Sequence, residues 1–131
     1  MGYQNDYVMR TISDLVRAIA RLALGKNDID YHLPPDETDD TALDQTYRKL
    51  KKMVDEGDIN GAENVLSDEL DTGNKAYLEM ALTFYMYLNQ RSDSELYEAD
   101  YSREEIAEGI HQVCAEFGIS GFEHFVDTTM V

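Results

Sequence analysis

The chain is short of cysteine, proline and tryptophan, and the shortage of cysteine excludes two kinds of site. It has 131 residues with one cysteine, two prolines and no tryptophan. A single cysteine can form neither an intramolecular disulfide framework nor a cysteine-rich zinc site. No apolar run approaches the roughly 18 residues that a membrane-spanning helix needs, and the opening residues lack the features of a signal peptide. We therefore expect a cytoplasmic protein with no membrane segment.

Basic residues are also few, and this shortage bears on the partners that the chain can have. It carries 11 basic and 27 acidic side chains, which give a formal net charge of −16 at pH 7. A surface of this sign repels the phosphates of nucleic acids and of anionic membranes, so neither is expected as a partner. The length suits one domain with its own hydrophobic core, and we assign residues 1–131 to it.

The two prolines, Pro34 and Pro35, are adjacent and divide the chain. Before them, apolar residues recur at steps of three and four, which predicts an amphipathic helix from about residue 6 to 24. Gly25 is a suitable stop signal for this helix. The residues predicted to face inward are Val8, Ile12, Leu15, Val16, Ile19, Leu22 and Ala23.

The rest of the chain is predicted to form four longer helices and one short one. The longer helices are expected over residues 42–56, 60–70, 75–90 and 102–117, and the short one over the residues after Ser120, which begin with a capping-box pattern. Residues 91–101 are predicted to be a polar loop. No stretch alternates with period two, so the predicted fold class is all-α, with five to six helices. The segments of the domain are the N-terminal helix (1–25), a connector rich in acids and turn formers (26–40), helical hairpins (41–117), and a short C-terminal helix with a tail (118–131).

Residues 50–66, LKKMVDEGDINGAENVL, resemble the turn of a tetratricopeptide-type helical hairpin. In that repeat a first helix ends in a glycine-containing turn, and a small residue, here Ala62, lets the second helix pack closely. Helix starts near Thr41 and Asn74 are about one repeat period of 34 residues apart. The resemblance implies two antiparallel hairpins within residues 41–117. The long loop inside the second hairpin departs from the repeat, and the tryptophan and terminal proline of its signature are missing.

A second resemblance lies in the N-terminal helix. Residues 5–12, NDYVMRTI, and residues 15–20, LVRAIA, are similar to the start of a family of small uncharacterised Gram-positive bacterial proteins. Proteins of that family begin with a D-Y-x-M-R-x-I helix. The resemblance implies an all-helical fold and gives no chemistry.

Two patterns are candidates for metal sites, and neither is complete. Asp58, Asn60 and Glu69 fall at positions 1, 3 and 12 of an EF-hand-type loop, but alanine occupies position 5 and glutamate position 6. Glu108 and His111 have the Glu-x-x-His spacing of a di-iron helix, which needs a second such pair. We therefore predict no metal ligands, no cofactor and no catalytic residues.

One face of the N-terminal helix is predicted to be basic. Arg10, Asp14, Arg17 and Arg21 fall on the side opposite the apolar residues. Residues 1–26 carry four basic and two acidic groups, a charge of +2, which leaves −18 for the remainder. The favoured interpretation is a solvated face with local arginine–aspartate pairs. The alternative is a docking face for an acidic partner or for the acidic surface of a second copy.

The predicted helix over residues 75–90 is apolar or aromatic at most of its positions. Such a helix is either central to the fold or half of an interface, and methionine and aromatic residues suit both uses. These residues are Tyr77, Met80, Phe84, Tyr85, Met86 and Tyr87.

Together these features predict a non-catalytic helical protein-interaction domain rather than an enzyme. Two alternatives stay open. One is a homo-oligomeric structural protein, with a homodimer as the expected form, and the other is a regulator that responds to a small ligand or metal through a pocket between helices. The residues expected to face a partner are Arg17, Arg21, Tyr77, Phe84, Tyr85 and Tyr87.

Overall fold

The fold is all-helical in the described part of the chain, as predicted. A computed structural model describes residues 2–121, with side chains from Asp6 onward. Within that range no helix is both long enough and apolar enough to cross a membrane. The elements are α1 (Gly2–Ile19), a π-helical turn (Ala20–Leu24), a 3-10 turn (Glu37–Asp39), α2 (Ala42–Asp55), α3 (Ile59–Glu69), α4 (Lys75–Asn89), α5 (Asp93–Glu98) and α6 (Arg103–Glu116).

The predicted helices correspond to α1, α2, α3, α4 and α6, with bounds that differ by a few residues. The short helix predicted after Ser120 lies almost entirely outside the described residues.

The prediction of a polar loop over residues 91–101 is wrong, because this segment contains α5. Ser92 Oγ accepts a hydrogen bond from Glu95 N at 3.1 Å, and Glu95 Oε1 accepts one from Ser92 N at 2.9 Å, which completes a capping box. Leu96 is the buried residue of this six-residue helix. Because α5 buries a single residue, its sequence shows no apolar periodicity. The capping-box pattern of Ser92 and Glu95 is the sequence feature that indicates this helix.

The end of α1 departs from the predicted pattern. Its continuation is a π turn, in which hydrogen bonds span five residues instead of four. Gly25 ends the turn in the left-handed backbone region, with φ of 68°. Because the wider turn shifts the phase of the helix, Leu22, which was predicted to face inward, is 77% exposed. Ile19, the last residue of α1, and Ala20, the first residue of the π turn, are fully buried.

Helix α4 lies at the centre of the fold. It contacts α1, α2 and α6, and nine of its 15 residues are buried. Its apolar character therefore reflects a central position rather than an uncovered interface. The largest fully buried side chains around it are Ile12, Leu15 and Ile19 from α1, Leu50 from α2, Leu66 from α3, and Ile106 and Ile110 from α6.

The predicted hairpins are present as helix pairs. Helices α2 and α3 pack together across a connection of residues 56–58, and Ala62, the predicted small residue, is fully buried. Helices α4 and α6 also pack together, but α5 lies within their connection. The likeness to tetratricopeptide repeats beyond this pairing stays a prediction.

A buried arginine connects four segments of the fold. Arg103, only 6% exposed, donates hydrogen bonds to Asn89 O at 2.8 Å and Arg91 O at 2.6 Å. Its Nε donates to Asp93 Oδ1 at 3.1 Å. Asn89, itself buried, donates to Met9 O at 3.0 Å. Because a buried guanidinium is tolerated only when its donors are satisfied, this network holds the start of α6 to the end of α4, the start of α5 and the middle of α1.

The connector before α2 is held by buried or half-buried polar side chains. Tyr31 donates a hydrogen bond to Asp44 Oδ1 at 2.5 Å. Arg48 donates one to Asp40 Oδ2 at 2.6 Å. Burial raises the pKa of Asp44, but hydrogen bonds from Tyr31 and Thr41 outweigh burial, so the pKa of this carboxyl lies below its usual value.

Arg103→Met should lower the free energy of unfolding by about 2–4 kcal/mol, because it leaves buried backbone and side-chain acceptors without a donor. Urea unfolding followed by circular dichroism measures the change. Arg21→Met, at an exposed arginine of the π turn, is the control and should stay within about 0.5 kcal/mol of the wild type. Equal losses in the two variants would contradict the role given to Arg103.

Asp44→Asn should lower the free energy of unfolding by about 1–2 kcal/mol at pH 7, because the amide is a weaker acceptor than the carboxylate. Since the pKa of Asp44 is lower in the folded protein than in the unfolded chain, its stabilising effect is complete above about pH 4 and is lost as the pH falls further. The difference between wild type and variant, from urea titrations at pH 7 and pH 3, should therefore shrink at pH 3. A difference that does not change with pH would exclude this contribution.

Candidate functional site

Two of the four aromatic residues predicted to face a partner are in the core. Phe84 is fully buried and Tyr85 is 2% exposed, and their rings meet edge to face with centroids 5.1 Å apart. Their place in a partner-facing set is therefore corrected: α4 is covered by its own neighbours, so these side chains cannot reach a partner. Tyr77 is half-buried and packs against the core.

Tyr87 is half-buried and is covered by cations of its own chain. The Arg91 guanidinium lies 4.3 Å from the ring centroid and Lys51 Nζ lies 5.1 Å from it. The hydroxyl donates a hydrogen bond to Asp55. Burial and this hydrogen bond raise the pKa of Tyr87. Tyr87 is thus already engaged in cation–π and hydrogen-bond contacts within the domain.

The two predicted arginines lie on the outer side of the N-terminal helical segment. Arg17 contacts Asp14 at 3.6 Å and Asp28 at 4.0 Å. The contact with Asp14 is a local arginine–aspartate pair of the predicted kind. Arg21 and Arg10 are exposed, and no residue of the described chain forms an ion pair with either. We call the surface formed by Tyr7, Arg10, Asp14, Arg17, Arg21 and Leu22 the α1 outer face.

Exposed apolar side chains accompany these arginines. Across residues 6–121 three large hydrophobic side chains are exposed: Tyr7 by 51%, Leu22 by 77% and Tyr97 by 84%. Two of the three belong to the α1 outer face. The π turn exposes Leu22 directly beside Arg21, and π-helical turns occur frequently at functional sites. The face therefore combines positive charge with apolar area, a composition suited to binding another protein.

A second candidate site is a groove of about 230 Å³ lined by α3, α4 and α6. At its edge Tyr85 donates to Glu63 Oε2 at 2.6 Å, and Tyr101 donates to the same oxygen at 3.0 Å. Burial raises the pKa of both tyrosines, and the nearby Glu63 raises them further. The phenols therefore stay protonated and act as hydrogen-bond donors to the carboxylate.

Two backbone features place these tyrosines. Gly109 lies in the interior of α6, where an added Cβ atom would overlap the Tyr85 ring. Its missing side chain is what allows Tyr85 to pass over α6 toward Glu63. Asp100 has a left-handed backbone with φ of 57°, which aspartate tolerates better than most residues, and it directs the chain to Tyr101 after α5.

Two residues of the incomplete metal patterns, Asp58 and Asn60, have other partners. Asp58 caps α3 by accepting a hydrogen bond from Gly61 N at 3.0 Å. Asn60 donates to Asp100 O at 3.2 Å. Glu108 is exposed on α6 and His111 is half-buried. Among residues 2–121 no group of three or more histidine, cysteine, aspartate or glutamate side chains converges as metal ligands would.

The sequence also identifies the family. Residues 2–118 match a family of unknown function, DUF6483. The chain belongs to the DUF6483 family. No curated protein and no solved structure matches it. The prediction of an uncharacterised family is thus confirmed, whereas the N-terminal motif and the Gram-positive origin stay predictions.

Family membership assigns no chemistry to this DUF6483 chain, so its candidate sites are defined by geometry. Sequence reasoning did not find the Glu63, Tyr85 and Tyr101 cluster, and it treated Glu63 only as a departure from a calcium loop. One signal was available: a glycine inside a helix costs about 1 kcal/mol relative to alanine. Gly109 is such a glycine, and it accommodates the close approach of Tyr85.

Gly109→Ala should destabilise the DUF6483 chain by about 1–3 kcal/mol, because the clash with Tyr85 exceeds the gain in helix propensity. Thermal and urea unfolding measure this loss. Glu108→Ala, at the neighbouring exposed position, is the control and should be neutral or slightly stabilising. Combining Gly109→Ala with Tyr85→Leu should cost less than the sum of the two single changes, and strict additivity would contradict the proposed contact.

Proposed function

We propose that this DUF6483 chain is a non-catalytic helical interaction domain, which binds an acidic protein partner through the α1 outer face. The observation that carries the proposal is the coincidence of exposed arginines with exposed apolar side chains on one helical face. Arg10 and Arg21 lie beside Tyr7 and Leu22 within a protein of net charge −16. In this proposal the domain works in the cytoplasm.

The charge distribution supports an acidic partner. The described chain engages Arg48 and Arg103 in short hydrogen bonds within the fold, whereas the α1 outer face keeps its arginines at the surface. Exposed charges contribute little to folding, but they steer association and select partners by sign. Tyr7 and Leu22 supply apolar area that arginines alone lack.

The same face is poorly suited to pairing with itself. In a two-fold symmetric dimer each residue of the face meets the face of the second copy. Two sets of arginines would then approach each other, and like charges at an interface oppose association. Self-association, the alternative expectation, would therefore need a different surface, such as the acidic remainder of a second copy.

The buried tyrosines with raised pKa values have structural roles, and this supports the proposal that the domain is not catalytic. Burial raises the pKa of Tyr85 and Tyr101, and of Tyr47 to about 12. A general acid or base works best with a pKa near the working pH, and these shifts move the tyrosines away from it. Tyr85 and Tyr101 instead serve as fixed donors within the fold.

Reversing two charges on the α1 outer face should abolish partner binding. We expect wild-type bait, incubated with lysate of the native host, to retain an acidic protein that the Arg17→Glu/Arg21→Glu variant loses. The matched control is Lys49→Glu/Lys52→Glu on α2, which changes exposed lysines and gives the same net charge of −20. Quantitative mass spectrometry of the three eluates measures retention.

Retention in this assay should also fall as sodium chloride rises, because exposed charge pairs are screened. Equal recovery of the partner by all three baits would contradict the proposal. Recovery of the chain alone, with light scattering showing a multiple of 15.0 kDa, would replace it with self-association.

A further inference from the structure

The groove between α3, α4 and α6 combines acidic and apolar walls. Glu63 and Glu116 line it together with Leu66, Leu70 and Val113, and none of its described lining residues is basic. A negatively charged, partly apolar groove favours a ligand with a positive head and a short apolar body. This surface is separate from the α1 outer face, so the inference does not depend on the proposed function.

Glu63 is placed to pair with the positively charged group of such a ligand. Its Oε2 accepts hydrogen bonds from both Tyr85 and Tyr101. Its Oε1 accepts no hydrogen bond from the described part of the chain, although the side chain is half-buried. The hydrogen bonds to Oε2 thus fix the orientation of the carboxylate, and Oε1 can still accept a hydrogen bond from a ligand. A charged group held half-buried interacts more strongly than one in open water.

The volume of the groove limits the size of the ligand that it can hold. Pockets for drug-sized molecules have volumes of roughly 300–1,000 Å³, so a groove of about 230 Å³ suits a smaller one. Asn64, Ser67 and Gln112 add polar side chains to the lining, which can accept hydrogen bonds from a primary ammonium group.

We propose that this groove binds a small alkylammonium ion, with its charged head paired to Glu63 and its alkyl chain against Leu66, Leu70 and Val113. The buried Tyr85, whose placement requires Gly109, and Tyr101 hold the carboxylate in position. The pairing needs no covalent step and no further reactant. Glu116, at the end of α6 and also in the lining, adds a second negative charge that strengthens the preference for a cation.

The first test uses the wild-type chain with three probes: n-butylammonium chloride, 1-butanol and sodium chloride at equal concentration. Amide ¹H–¹⁵N spectra should show saturable shifts at Asn64, Gly109 and Gln112 with n-butylammonium alone. The uncharged alcohol has the same chain length and tests the role of the head group, and sodium chloride tests ionic strength. Equal shifts with butanol or with salt, or no shifts at these three residues, would overturn the proposal.

The second test compares matched variants in the same titration. Glu63→Gln should weaken n-butylammonium binding about tenfold, which is the value of one charge-assisted hydrogen bond. Glu69→Gln makes the same chemical change at an exposed position of α3 outside the groove, and it should bind as the wild type does. Because Glu63→Gln also alters a contact between helices, Glu116→Gln serves as a second variant and should weaken binding in the folded chain. Equal weakening by Glu69→Gln would show general attraction to the acidic surface and would overturn the proposal.

Discussion

The buried guanidinium of Arg103 is the constraint on which both candidate sites depend. Its hydrogen bonds to Asn89, Arg91 and Asp93 fix the start of α6 against the end of α4. That position sets the register in which Gly109 faces the Tyr85 ring, and so the shape of the groove. Through Asn89, the same network holds Met9 of α1. Because a charge removed from water must be fully satisfied, this part of the domain has little freedom to rearrange.

The fold was predictable from sequence wherever a helix buries a stripe of apolar residues. The apolar periodicity of α1 located that helix, because several of its side chains share one face. Two features lay outside this signal. Helix α5 buries only Leu96, and the π turn places Leu22 in solvent by changing the phase that the periodicity assumes. Both depend on local backbone hydrogen bonds, which apolar patterning does not report.

The sites were predictable only in part, for a different physical reason. Arg17 and Arg21 could be placed on one face because helical spacing decides that. Phe84 and Tyr85 could not be separated from surface aromatics, since a helix that is apolar on all sides carries no stripe to show which side is covered. The pairing of Glu63 with Tyr101 joins residues 38 positions apart, a contact set by tertiary packing alone.

Site-specific photo-crosslinking in the native host tests directly whether the α1 outer face binds an acidic partner. A photoreactive phenylalanine at Leu22 is compared with the same group at Tyr97, which is similarly exposed but lies on α5. We expect a crosslink at position 22 to a protein of net negative charge and none at position 97. Equal crosslinking at both positions, or crosslinking at position 97 alone, would contradict it.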